Sequence, residues 1–142
     1  MKPFKLHLTF GFILILIGIV FDYCFVQSKV SEAFKTDPLT YINSFKHQLY
    51  SLNAFYMFAL GFLNIALALL IPHFADNPKF DWIIFYLIFI GSILLIATGF
   101  WYASAGPSFK WETRCTVLTI GLGAVIFGLG FELYKILSVK DA

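Results

Sequence analysis

Four apolar stretches divide the chain, at residues 8–26, 49–71, 82–102 and 116–137, each 19 to 23 residues long. About 20 helical residues cross a bilayer core of about 30 Å. Lipid offers the backbone no hydrogen bonds, so a segment of this kind crosses it as a helix. The pattern predicts an all-α integral membrane protein with four transmembrane helices in an up-and-down bundle, a single domain over residues 1–142. Composition points the same way. Hydrophobic residues make up 60% of the chain and charged residues 13%, against about 45–50% and about 25% in soluble domains. A water-soluble globule of 142 residues could not bury that much apolar side chain, 18 phenylalanines included.

The punctuation between the stretches supports four helices. "DPL" at 37–39 and "DNPK" at 76–79 place Asp or Asn just before Pro, the chemistry that starts helices, and "GPS" at 106–108 is read the same way ahead of the fourth. The second helix is therefore expected to start near Pro38 and to project two to three turns beyond its apolar part. Trp82, Trp101 and Trp111 fall at segment ends, where aromatic belts lie.

With four spans, the face of the N-terminus carries Lys2, Lys5, Lys79, Lys135 and Lys140, and the opposite face Lys29, Lys35, Lys46, Lys110 and Arg114. With five against five, the positive-inside rule does not choose an orientation. The basic "MKPFK" start and the even number of spans favour both termini on the cytoplasmic side of a multi-pass protein. The same start, with "SEA" at 31–33 as a cleavage site, resembles a signal peptide. The apolar run is longer than a usual signal core and contains Asp22, so the first segment is expected to stay as a span.

Small and polar residues mark the faces on which membrane helices meet. At 3.6 residues per turn, Gly11, Gly18 and Asp22 share a stripe on the first segment, and Gly121, Ala124, Gly128, Glu132 and Lys135 share one on the fourth. The spacing G-x6-G-x3-acid occurs in both, which is compatible with a trace of an inverted repeat or with coincidence. The second segment has the most polar seam: Lys46, Tyr50, Asn53, Met57, Gly61, Asn64 and Ala68 lie within roughly 40° of one line. Gly91, Thr98 and Tyr102 align on the third. Gly11, Gly18, Gly61, Gly91, Gly121 and Gly128 are the expected packing positions. The first and fourth segments are expected to be neighbours, and their glycine-rich faces are expected to dock on a partner subunit. The seam residues either hold helices together or line a path.

A carboxylate in hydrocarbon is costly. Asp22 lies about one turn from the exit at Gln27 and Ser28, so it is either an interfacial group or a coupling carboxylate. With Tyr50, Asn53, Asn64, Thr98 and Tyr102 it would then line a pathway. Glu132 and Lys135, three residues apart, form an expected structural ion pair. Asn43, Lys46 and His47 make the wettest helical surface, suited to a polar ligand or a lipid headgroup. His7 and His73 near one face permit a bis-imidazole haem site only on paper, because His73 follows Pro72 in a turn region.

No cofactor and no metal are expected: the two cysteines, Cys24 and Cys115, form no ligand spacing, and no hydrolase, zinc-peptidase or phosphate-loop motif is present. The near-neutral charge of +2 gives no reason to expect nucleic acid. Cys24 and Cys115 fall at similar depth on one face and are expected to be free thiols. The chain reads as a non-enzymatic accessory or assembly subunit, with the bilayer and other membrane subunits, or further copies of itself, as partners. A small homo-oligomeric transporter or channel is the alternative.

Overall fold

A computed structural model describes residues 2–33, 44–73, 78–106 and 110–138, with backbone only at 31–33. The described residues are helical, without strands: α1 (Pro3–Phe21), a π-helical segment Asp22–Gln27, α2 (Ser28–Ala33), α3 (Phe45–Leu70) with a 3-10 turn Ile71–His73, α4 (Pro78–Ala105) and α5 (Thr113–Ser138). Four helical stretches, Pro3–Val30, Phe45–His73, Pro78–Ala105 and Thr113–Ser138, are long and apolar enough to cross a membrane.

The helix ends follow local chemistry. Pro3 and Pro78 occupy the first helical positions of α1 and α4, where a missing N–H costs nothing. The second long helix does not run unbroken from Pro38. Ser44 is extended, and its side chain accepts the His47 N–H at 3.2 Å, so α3 starts at Phe45. Asp37, Pro38 and Asn43 lie outside the described residues. Gly106 also differs from expectation, because it closes α4 rather than opening the next helix. It takes φ +81° and donates its N–H to Tyr102 O at 3.0 Å, the left-handed ending that glycine allows without strain. The last helix begins only at Thr113.

Two tightly packed pairs, α1 with α3 and α4 with α5, are joined by contacts of α3 and, more lightly, α1 with α4. Each pair is built on a glycine crossing. A Cβ at Gly11 would lie 2.7 Å from Gly61 O, and one at Gly91 would lie 2.8 Å from Gly121 O. Gly18 abuts Met57 and Phe58 of α3, and Gly128 abuts Ile88 of α4. The glycine stripes are therefore filled within the chain, each by the sequence neighbour of its helix. The expected first–fourth contact gives way: α1 and α5 are not among the packed pairs. Their stripes face α3 and α4, and the two helices come together in shared core layers such as that of Leu14, Leu60, Leu95 and Val125.

Candidate functional site

Five buried polar residues, His7, Asn64, Asp81, Glu132 and Lys135, collect at one end of the helices, whereas Asn53, Thr98 and Arg114 are buried toward the other. His7 follows one turn after Pro3, on the stripe that continues through Gly11, Leu14 and Gly18, and it is 0% exposed. Its Nδ1 lies 2.7 Å from Oδ1 of Asn64, whose Nδ2 donates to Leu60 O at 2.8 Å. That second bond turns the amide oxygen toward the ring, so Nδ1 carries the proton and donates. The ring stands edge-on to Phe85, 4.9 Å between centroids. Nε2 has no hydrogen-bond partner.

Across the same end, Lys135 Nζ of α5 donates to Asp81 Oδ1 of α4 at 2.8 Å and lies 3.1 Å from Glu132 Oε2 one turn earlier. All three side chains are buried. Glu132 is paired by charge alone, since neither of its oxygens has an aligned donor. Two carboxyl groups thus share one ammonium. A cleft of about 330 Å³ between the start of α1, the 71–73 turn and the start of α4 reaches Asp81 from outside. The cluster ties α4 to α5, and His7 with Asn64 ties α1 to α3. Glu132 and Lys135 were legible as an i,i+3 pair. Asp81 was not picked out and His7 was weighed only as a haem ligand with His73, although each lies on the inner stripe of its helix.

At the other end, Tyr102 OH and Cys115 Sγ are 2.8 Å apart, and the Arg114 guanidinium sits over the Tyr102 ring, 4.5 Å from its centre. Arg114 donates to Glu112 Oε2 at 2.7 Å and to Gly106 O at 2.8 Å, fastening the start of α5 to the end of α4. Cys24 and Cys115 are both free thiols.

Asp22 opens the π-helical segment, half-buried, and accepts a bond of 3.3 Å from Gln27 five residues on. A π turn repeats through i→i+5, which is why the buried series steps from Phe21 to Val26 and leaves Asp22 at the edge. Tyr50 is buried and stacks on Phe25. Thr98 bonds back to Leu94 O at 2.6 Å. Lys46 is exposed and His47 half-buried in the first turn of α3. His73 is exposed, its Nδ1 2.9 Å from Leu69 O, so it does not meet the buried His7 across a cleft. No group of three or more metal-ligating side chains is found among the described residues.

Asn53 differs from its neighbours on the seam. It is 1% exposed, and neither Nδ2 nor Oδ1 has a hydrogen-bond partner. A void of about 100 Å³ lies beside it, lined by Leu49, Leu52, Tyr56, Gly99, Tyr102 and Leu118 as well as Asn53 itself. Asp22 is not part of that lining. Neither the family models, nor the curated proteins, nor the solved structures give a match to this chain.

Proposed function

We propose that the chain is a multi-pass membrane protein whose four long helices cross the bilayer up and down, both termini cytoplasmic. We further propose that it works without catalysis, as an accessory or assembly subunit that docks on another membrane protein through the outer face of α5. The observation that carries this reading is the position of two glycines. Six glycines are closed within the helix pairs, whereas Gly123 and Gly130 on α5 have nothing within 4 Å of an added Cβ. They lie seven residues apart, on one stripe. Gly130 also lines an open apolar groove of about 490 Å³ with Phe80, Ile126, Phe127, Phe131 and Tyr134. Between helices in lipid, uncovered glycines let a second backbone approach closely, and that close packing drives association. The ionic and amide pairs of the His7 end suit the same reading, since each joins one helix of the chain to another.

The test is purification in mild detergent, with the parent compared to Gly123→Leu and Gly130→Leu. The parent is expected to bring down a foreign membrane subunit in fixed ratio. Either variant should lose it while keeping the parent's unfolding midpoint, because no neighbouring helix lies within 4 Å of the added Cβ. A complex made only of copies of this chain would replace the foreign subunit by self-association. A parent that is monomeric in mild detergent and cross-links to nothing in native membranes would overturn the proposal.

A further inference from the structure

An unpaired amide away from water is unfavourable. The fold does not avoid this at Asn53; it accommodates it. A Cβ at Gly99 would collide with Asn53 Oδ1 and come within 2.9 Å of its Cγ. Glycine at 99 is thus what lets α4 accept the amide, which has no hydrogen-bond partner, and Asn53 is one of the residues that line the void. The cavity has α4 as its floor, through Gly99 and Tyr102. Leu49, Leu52 and Tyr56 of α3 and Leu118 of α5 form its walls. The lining carries no carboxylate, ammonium, guanidinium or imidazole, and the Tyr102 hydroxyl is already engaged by Cys115. An ion would find no countercharge there.

We propose that this cavity binds the neutral head group of a membrane-soluble molecule, one that both donates and accepts a hydrogen bond, such as an alcohol or a primary amide on an apolar body. Asn53 offers one carbonyl acceptor and one NH₂ donor side by side. A head with both functions satisfies the pair at once, while an ester or ether satisfies only the NH₂. The leucine walls receive the adjoining carbons. The source is either a neutral lipid with a free hydroxyl or a small free amphiphile, and the chemistry at Asn53 is the same for both. The site is separate from the α5 docking face, so it stands or falls independently of the subunit reading.

The experiment follows the side-chain amide resonances of ¹⁵N-labelled full-length protein in amine-oxide micelles, which bring no hydroxyl of their own. Asn53→Leu assigns the Asn53 signal. Octanamide is expected to shift that signal saturably. N,N-dimethyloctanamide, which only accepts, should bind roughly tenfold more weakly, the equivalent of one lost hydrogen bond. Monoolein competing with octanamide identifies a lipid occupant; octanamide binding that monoolein cannot displace identifies a small free molecule. Gly130→Leu should leave the titration unchanged. Three results would overturn the proposal: no probe shifts the Asn53 signal, both amides shift it equally, or its amide protons show contact with water alone. If Asn53→Leu does not fold, the comparison of the two amides on the parent still decides.

Discussion

Asn53 and Asn64 lie about three turns apart on the same face of α3, and both are buried, yet they have opposite surroundings. Asn64 is held by His7 on one side and its own helix on the other. Asn53 has no partner and faces a void. The difference shows that polarity on an inner helix face has two meanings. At the His7 end it is matched by a polar residue on the neighbouring helix and fixes the packing. In the other half it is matched by a glycine, which makes room without supplying a bond.

The largest effect should come from breaking the paired end at the ammonium that Asp81 and Glu132 share. Lys135→Met leaves Asp81 and Glu132 buried without a cation, and loss of one partner from a buried ion pair destabilises by about 3–5 kcal/mol. A matching fall in the unfolding midpoint in detergent is the expected result; an unchanged midpoint would mean that the cluster is solvated. Asn64→Leu comes next. It leaves the His7 ring with neither nitrogen bonded, and an unsatisfied buried group costs about 1–3 kcal/mol.

Asn53→Leu sharpens the contrast, because here the same substitution removes an unsatisfied amide and no bond. Its midpoint should equal or exceed the parent's, by up to about 1–3 kcal/mol. Two asparagine variants that fall equally would break the comparison. The smallest effects belong outside both regions. Asp22→Asn, at a half-buried site with one long bond to Gln27, and Gly123→Ala, with nothing near the added methyl, should each stay within about 0.5 kcal/mol of the parent.

The long helices were legible because apolar length is a local property. Pro78 marked the start of α4 as read, whereas α3 starts after the Ser44 cap, which only the backbone path reveals; Asp37 and Pro38 lie outside the described residues. The cluster was half legible. Glu132 and Lys135 are neighbours along one helix, whereas Asp81 meets Lys135 across 54 residues and His7 meets Asn64 across 57. Asp81 in the first turn of α4 resembles any acid placed to complement a helix dipole. His7 did carry a signal, lying one turn before Gly11 on its stripe. Asp22 drew attention for its charge, and a π-helical turn, which hydrophobic spacing does not announce, carried it off the stripe. The glycine faces of α1 and α5 meet α3 and α4 of the same chain, and spacing alone cannot tell whether such a partner belongs to the same chain.

On this account the charges of the His7 end bind helices to each other and do nothing further. The most direct measurement replaces all three together, Asp81→Leu, Glu132→Leu and Lys135→Met, and follows both the unfolding midpoint and the yield of complex in mild detergent. Apolar replacement of a complete buried ionic group is often neutral or stabilising by about 1–4 kcal/mol, so the triple variant should recover what Lys135→Met alone loses and should assemble like the parent. A triple variant as stable as the parent that no longer assembles would contradict the account, because the charges would then be acting on something beyond the fold.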